Sequence, residues 1–480
     1  MPEISPSLLS FVRAAYGLLM ALTLLFALPH YRRFFLSERW GGYAESRRAI
    51  DRWHNPVAAP LALAIWMACG VALTIGQMVV AAALVNVVLC RYYFVHMRWQ
   101  GLLRGMGAPG FMAYWLGVMV LLLEYTSRHA PQLQPLALLV AQVDFAWIML
   151  SAGIYKWSAG YAHGDGMDFG MVNPMWGYWW RLFLRVPPGH LLYRFLNHMA
   201  WVTEVVAAVL MLVPHPGTRA TGGLLMTLSF LFIGSQIRLA WLTEIVMLCG
   251  LLLVPPGHLV DRAIGAVFPA ATPVVSAGPQ LLNGAVAVVL WAYLVLIPVA
   301  HAGLFYNFYA RRRLGGVCQT ALETYTNVFG LIIWRVFSVD HLNFFIRVLR
   351  ESPDGVRTLI SRYGAPGALR YCHVAECIVI TTLFTTLKYH ASNQALFDRR
   401  LLRYVKTLDA RPGDRIVFEY VSVRKMASAW AHVPVAEYIV DPASQTIREA
   451  IRESGFDVHA AAPTSPVHEG ARPGSYAPAR

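Results

Sequence analysis

The feature that most constrains this chain is a series of apolar runs, each roughly 18 to 24 residues long, the length needed to cross about 30 Å of hydrocarbon. The runs predict nine membrane spans, at 9–29, 56–74, 77–95, 108–126, 134–156, 197–214, 219–236, 239–255 and 280–303. Charged residues make up only 14% of the 480 residues, which excludes a disordered chain and argues against an ordinary soluble enzyme. The predicted fold class is therefore an all-α polytopic membrane helix bundle of about nine spans, with a small C-terminal α+β globular domain.

The basic residues are distributed unevenly among the loops. The chain carries 40 lysines and arginines against 26 acidic residues, a formal net charge of +14. In a membrane protein such an excess marks loops that contact anionic headgroups, so the expected partner is the lipid bilayer and not nucleic acid. Segments 30–55, 96–107 and 304–316 hold arginine clusters and fall on one side of the predicted membrane. The positive-inside rule then predicts a multi-pass protein of a bacterial inner membrane, with its C-terminal domain in the cytoplasm.

The composition changes near residue 317 and divides the chain. Residues 1–316 are predicted to form the transmembrane bundle, with an interfacial helix near 30–55 and a re-entrant, irregular segment at 158–190. Residues 317–457 are predicted to be an interfacial and globular region, and 458–480 a disordered tail. The elements expected in the C-terminal region are an apolar interfacial patch at 328–337, helices at 369–389 and 446–454, and strands at 415–423 and 435–440.

Lys156 is the first candidate for a catalytic residue. Only four of the 40 basic residues are lysines, and this one lies at the end of an apolar span. A lysine that is partly stripped of water can lose its proton near neutral pH and act as a base or nucleophile, which arginine cannot do. The alternative is a lysine that lies along a helix end with its ammonium among headgroups. Both interpretations are open at the level of sequence.

Further polar and aromatic residues at membrane depth are predicted to line a cavity near Lys156. Asp144 precedes Lys156 by twelve residues, about 18 Å along a helix, so the two cannot pair and each needs a partner on another span. An alternative role for such groups is pairing within the bundle, as between Arg238 and a glutamate. The predicted cavity-lining residues are Asp144, Trp157, Tyr161, His163, Trp176, Glu204, Arg238 and Glu244.

Metal and nucleotide sites are not predicted. His163, Asp165 and Asp168 lie on a glycine-rich stretch and are better interpreted as hydrogen-bonded turn residues than as metal ligands. The sequence Cys-His-x-x-Glu-Cys at 372–377 is a single knuckle, whereas zinc sites use two. The sequence contains no phosphate-binding loop, HExxH or GxSxG motif, and no dinucleotide fingerprint in the strand–turn–helix setting that such a motif requires.

The stretch Ser-Ala-Gly-Ile-Tyr-Lys-Trp at 151–157, the pair Gly160-Tyr161 and the tryptophan-rich sequence up to Trp180 resemble the HTTM (horizontally transferred transmembrane) family. The family is related to the vitamin K-dependent gamma-carboxylases. The resemblance implies a bundle of eight or nine helices with a mixed domain. It also implies that Lys156 matches the base that starts oxygenation of a hydroquinone, and that a quinone is the cofactor.

Three functions follow as alternatives. The first is quinone- or lipid-linked chemistry that uses Lys156, with a quinone or lipid substrate. The second is a non-catalytic membrane factor of the same fold, which would assist the assembly or maturation of a protein partner. It stays open because the segment 231–250 has no histidine where the carboxylases have a histidine-bearing helix. The third is a small-molecule transporter, against which the chain shows no inverted repeat and no paired Gly/Pro-broken spans.

Overall fold

The computed structural model describes residues 1–97, 107–269, 278–310, 312–329, 339–361, 374–389, 393–408 and 410–452. Among the described residues up to 329 the named elements are all helices, as predicted. Their helices are α1 Pro6–Ala27, α2 Tyr31–Phe35, α3 Arg48–Trp53, α4 Ala58–Ile75, α5 Val79–Cys90, α6 Ala108–His129, α7 Gln134–Ser158, α8 Met167–Val172, α9 Trp180–Phe183, α10 Leu191–Leu212, α11 Pro216–Gln236, α12 Leu242–Leu251, α13 Leu259–Val267, α14 Gln280–Tyr309 and α15 Gly316–Phe329.

Seven helices among the described residues are long and apolar enough to cross a membrane. They are Pro6–Phe35, Ala58–Ile75, Val79–His96, Ala108–His129, Pro131–Ser158, Leu191–Leu212 and Gln280–Tyr309. The other two predicted spans correspond to α11, which is 21 residues long but rich in glycine, serine and threonine, and to α12, which has only 10 residues. Seven apolar spans are thus found, and a count of nine stays a prediction.

Close helix packing in the bundle depends on small residues. Gly17 of α1 faces Gly70 of α4, and a Cβ atom at position 17 would lie 2.6 Å from the Gly70 carbonyl oxygen. Gly153 of α7 packs in the same way against α10, where a Cβ atom would lie 2.6 Å from a methyl carbon of Val205. Helices in membranes associate through such contacts because small residues let two backbones approach. The Gly153 contact brings the end of α7 against the middle of α10.

The single interfacial helix predicted near 30–55 is wrong. This stretch holds α2, a 3-10 turn at Glu38–Trp40 and α3, with an isolated bridge between Ser37 and Ala44. Gly41 adopts a left-handed conformation (φ 80°), which turns the chain back. Its neighbour Gly42 lies so close to the Leu36 carbonyl that a side chain would not fit. The glycine pair therefore ends the helix that the apolar and basic pattern predicted.

The C-terminal region is a five-stranded antiparallel sheet with helices packed against it, which confirms the small α+β unit. The strand order is β2-β1-β3-β4-β5. The ring of Phe384 in α17 makes edge-on and tilted contacts, with 5.4 to 6.1 Å between ring centres, to rings from α18, β3 and β4, so these elements share one apolar core. The elements are α16 Val339–Leu342, β1 Phe344–Glu351, β2 Arg357–Leu359, α17 Val374–Tyr389, α18 Gln394–Val405, β3 Arg415–Lys425, β4 Trp430–Asp441 and β5 Thr446–Ile451.

The strands predicted at 415–423 and 435–440 are confirmed. The helix predicted at 369–389 is confirmed over its described residues, Val374–Tyr389. The helix predicted at 446–454 is wrong, because Thr446–Ile451 is strand β5 and pairs with β4. Asp441 accepts backbone hydrogen bonds from Ala443 and Ser444 and so closes a tight turn that leads into β5. In a segment of six residues, periodicity alone does not distinguish a helix from a strand. Backbone pairing with the neighbouring β4 makes this segment a strand. The patch at 328–337, apart from its first two residues, and the tail at 458–480 lie outside the described residues.

The segment 158–190 is irregular, as predicted. It contains only a 3-10 turn and the short helices α8 and α9, and Gly160 and Gly164 have φ angles of 111° and 92°. The segment is tied to the C-terminal region by Asn173, whose side-chain amide donates to the carbonyls of Leu342 and Phe344 at 2.8 and 2.7 Å. The irregular segment therefore lies between the bundle and the sheet.

Candidate functional site

Lys156 and Glu204 form an ion pair inside the bundle. Lys156 lies in the last turn of α7 and its Nζ contacts Oε1 of Glu204, which lies in the middle of α10. Their side chains are only 5% and 1% exposed. The close approach at Gly153, one turn before Lys156, makes this contact possible. The ammonium is thus enclosed by protein, which does not fit a lysine that extends toward headgroups.

The pair leaves hydrogen-bonding capacity unused. Among the described residues, Oε2 of Glu204 is buried and has no hydrogen-bond partner. The indole Nε1 of Trp201, one turn earlier on α10, is also buried and has none. Buried polar atoms are nearly always bonded, so each exception calls for an explanation such as a bound group or water. An acceptor and a donor are therefore left on the same helix, close to the lysine.

Tyr161 of the irregular segment lies close to the pair and is fully buried. Burial raises the pKa of its hydroxyl well above the usual range, and the nearby carboxylates of Glu204 and Asp168 raise it further. The ring packs so closely on Gly166 that a Cβ atom there would lie 2.6 Å from it. Tyr161 therefore sits between two buried carboxylates, one in the bundle and one in the irregular segment.

Lys425 joins the irregular segment to the sheet. Its Nζ lies 2.7 Å from Oδ2 of Asp168 and 2.8 Å from the Gly164 carbonyl oxygen, and it also contacts Asp165. The ammonium lies 5.5 Å from the centre of the Trp430 ring, within range of a cation–π interaction. We refer to Lys425, Asp165 and Asp168 as the Lys425 cluster. The sequence analysis did not include Lys425 among the candidate site residues. The rarity of lysine in this chain could have indicated it, because only four of the 40 basic residues are lysines.

Asp144 forms a separate polar site. It is completely buried and accepts hydrogen bonds from Nε1 of Trp115 at 2.7 Å and from the hydroxyl of Tyr293 at 2.5 Å. The structure thus keeps Asp144 apart from Lys156, as the helical spacing predicts. Its second oxygen, Oδ1, has no hydrogen-bond partner among the described residues.

The remaining candidates are spread over several environments. Arg238 donates to the carbonyls of Pro174 and Met175 at 2.6 and 3.0 Å, and so holds the irregular segment rather than a substrate. Trp176 is buried and Glu244 is partly buried in the first turn of α12. His163 is exposed, and Trp157 is 56% exposed, so neither lines an enclosed site.

No metal centre is formed by the part of the chain that the structure describes, where no group of three or more His, Cys, Asp or Glu side chains is placed to hold an ion. Asp165 and Asp168 instead pair with Lys425. Cys377 is buried in α17, whereas Cys372 and His373 lie outside the described residues.

Comparison with known proteins returned no match: no protein-family model, no curated protein and no solved structure is similar to this chain. The resemblance to the HTTM family therefore remains a prediction from the residues around Lys156. The geometry of the Lys156–Glu204 pair is the basis for assigning a function.

Proposed function

We propose that this chain is a multi-pass membrane enzyme of HTTM-like architecture, in which Lys156 and Glu204 exchange a proton during chemistry on a quinone or lipid substrate. The observation that supports the proposal is the contact between a lysine and a glutamate that are both buried, with one glutamate oxygen left without a hydrogen-bond partner among the described residues. Ionisable groups inside a membrane bundle are costly and mark functional sites by default.

Proton transfer within the Lys156–Glu204 pair can produce a neutral amine that acts as a base. Transfer of one proton from the Lys156 ammonium to the Glu204 carboxylate gives an amine and a carboxylic acid without changing the net charge of the site. The amine can then accept a proton from an acidic group such as a hydroquinone hydroxyl, which leaves a hydroquinone anion and restores the ammonium. General-base catalysis requires a base within hydrogen-bond reach of the proton. The resemblance to the carboxylase relatives favours a hydroquinone as the proton donor.

The membrane topology belongs to the same proposal. Nine spans require α11 and the region around α12 to cross the bilayer with the seven apolar helices. At 10 residues α12 covers about 15 Å, so its flanking turns would have to complete the crossing. We propose an orientation in a bacterial inner membrane with the C-terminal domain cytoplasmic, supported by the basic residues beside α14. Fusion of a reporter that fluoresces only in the cytoplasm, compared with one that is active only outside, tests the side of the sheet.

A second function, the non-catalytic assembly or maturation factor, has one specific observation in its favour. Strand β5 is an edge strand, paired only with β4 in the described sheet, and four of its six residues are exposed. An exposed edge can accept a strand from a partner protein. In that function the Lys156–Glu204 pair would serve only to hold α7 against α10.

The experiment that separates the two functions uses protein reconstituted in nanodiscs and supplied with a reduced naphthoquinone. We expect hydroquinone-dependent oxygen uptake by the wild-type protein and a loss of at least about 100-fold in Lys156→Met and Lys156→Arg. Lys406→Met is the matched control, because Lys406 is an exposed lysine that pairs with Glu38. Full activity in Lys156→Arg would contradict the role as a base, and no uptake by the wild-type protein would contradict the hydroquinone as substrate.

A further inference from the structure

Helix α15 folds back along α14. The hydroxyl of Tyr325 donates to the Tyr293 carbonyl at 3.1 Å, and Leu322 packs beside Ala300 and Gly303. Contacts that run forward along α15 therefore run backward along α14, which makes the two helices antiparallel. Tyr293 lies sixteen residues before the end of α14, about 24 Å along its axis. Because α14 is one of the seven apolar spans, α15 reaches about halfway back into the layer that α14 crosses.

The outer face of α15 is apolar and is not covered by any of the described residues. Val317, Ala321, Thr324 and Val328 follow each other at helical spacing and are all exposed. The side-chain hydroxyl of Thr320, on the same face, bonds the Gly316 carbonyl one turn earlier, so its methyl group is left to face outward.

These residues line a groove of about 820 Å³ that is largely open to the outside, which we call the α15 groove; its lining is Gly316, Val317, Thr320, Ala321, Thr324, Tyr325 and Val328. The volume lies within the range of about 300 to 1,000 Å³ that is typical of small-molecule sites. None of the residues proposed for the chemistry at Lys156 is part of this lining.

One end of the α15 groove is basic. Arg312 and Arg313 are exposed and lie four and three residues before the first residue of α15. Arg313 is three residues from Gly316 at the mouth of the groove, so the Cα atoms of these two residues are at most roughly 11 Å apart. The opposite end is held inside the bundle, where the hydroxyl of Tyr114 donates to the Val328 carbonyl. The groove thus has positive charge at its outer end and an apolar wall toward its inner end.

We propose that the α15 groove binds an anionic phospholipid, with one acyl chain along α15 and the phosphate at Arg312 and Arg313. The proposal rests on the membrane insertion proposed above, and it is independent of chemistry at Lys156. Charge complementarity selects this occupant, because arginine binds phosphate through two parallel hydrogen bonds and a helix of a partner protein would leave the two guanidinium groups unmatched. The antiparallel course of α15 places the apolar wall at the depth of acyl chains and the arginines at the depth of headgroups.

Native mass spectrometry of the full chain in detergent, titrated with phosphatidylglycerol or phosphatidylcholine, tests the proposal. We expect phosphatidylglycerol to bind at least about tenfold more tightly than phosphatidylcholine. Ala321→Trp, which fills the groove, and the double variant Arg312→Gln/Arg313→Gln should each weaken phosphatidylglycerol binding at least about tenfold. The matched controls are Val288→Trp, at an exposed position of α14, and Arg262→Gln, at an exposed arginine of α13, which should leave binding unchanged.

Equal binding of the two lipids, or equal losses in the control variants, would overturn the proposal, because the lipid would then be part of the general annulus. Dimers that disappear in Ala321→Trp would overturn it in favour of a second copy of the chain. The arginine variant lies on the surface and keeps the test valid should Ala321→Trp fail to fold. Extraction of the chain from membranes only by detergent checks insertion separately, so failure of the insertion proposal is distinguishable from failure of the groove.

Discussion

The Nζ atom of Lys425, at the end of the third strand, lies 2.7 Å from the carboxylate of Asp168 in the irregular segment that follows Lys156. The C-terminal sheet is thereby bonded to the segment that carries Tyr161 over the Lys156–Glu204 pair. The sheet is thus bonded to the segment that lies next to the candidate site, and substitution of Lys425 should change how that segment is held.

Removal of the Lys425 charge should loosen the irregular segment. In Lys425→Met the Asp168 carboxylate, which is 1% exposed, loses its cation, and a buried carboxylate without its partner costs about 1 to 3 kcal/mol. We expect lower thermal stability in detergent and faster proteolytic cleavage within 158–190. Lys406→Met, at an exposed lysine, should change stability by less than about 0.5 kcal/mol. Identical cleavage rates in the two variants would show that Lys425 does not hold the segment.

Single removal of either charge of the Lys156–Glu204 pair should destabilise the bundle more than removal of both. Lys156→Met or Glu204→Gln leaves one buried charge without compensation, at a cost of about 3 to 5 kcal/mol. The double variant Lys156→Met/Glu204→Gln contains neither charge and should recover most of this loss. Thermal unfolding of the four proteins forms a double-mutant cycle. Additive losses in the double variant would mean that the two side chains do not interact in the folded protein.

The approach of α7 to α10 at Gly153 should tolerate no larger residue. A Cβ atom there would lie 2.6 Å from Val205 and 3.0 Å from the Trp201 carbonyl oxygen, so Gly153→Val must push the helices apart. We expect a loss of about 1 to 3 kcal/mol or more, together with the loss of hydroquinone-dependent activity through separation of Lys156 from Glu204. Gly284→Ala on α14 is the control, because among the described residues nothing beyond the neighbouring backbone of α14 lies within 4 Å of the added methyl group.

Stability should fall in mild acid because of His54, which lies between α3 and α4. Its Nδ1 is 2.8 Å from the Phe35 carbonyl oxygen and its Nε2 is 3.1 Å from the hydroxyl of Tyr92. Burial lowers the pKa of His54, against the opposing effect of the bond to Phe35. Below the unfolded-state pKa of about 6.5 the unfolded chain binds more protons than the folded one, so stability is fully present above that pH and is lost as the pH falls.

The measurement is thermal unfolding at pH 7.5 and pH 5.5 for the wild-type protein and His54→Gln. The variant should show a smaller difference between the two pH values. His432 in the sheet also has its pKa lowered by burial and contributes with the same sign, so His54→Gln/His432→Gln should reduce the difference further. An unchanged difference in the double variant would assign the acid sensitivity to other groups.

Seven apolar spans and the strands β3 and β4 could be predicted because each has a local cause in hydrophobic length or alternation. The helix near 30–55 could not, since its pattern is amphipathic while Gly41 and Gly42 require a turn. Strand β5 depends on its neighbour β4, which local periodicity does not contain.

The contact between Lys156 and Glu204 was not predicted, although both residues were among the candidates. Lys156 and Glu204 are both recognisable as polar residues in apolar runs, but their contact depends on the position of Gly153 against α10. For Arg238, pairing with a glutamate stays a prediction, and the hydrogen bonds described go to the carbonyls of Pro174 and Met175. These acceptors are backbone carbonyls of the irregular segment, so their position depends on how that segment folds. The sequence pattern does not predict that fold.

The bond from Lys425 to Asp168 also imposes an order on biosynthesis. The ribosome makes Asp168 and the residues of α7 and α10 before it makes the lysine that pairs with Asp168. Both members of the Lys156–Glu204 pair are therefore synthesised before the third strand exists. A product truncated before the third strand would contain the pair and lack the bond that ties the irregular segment to the sheet.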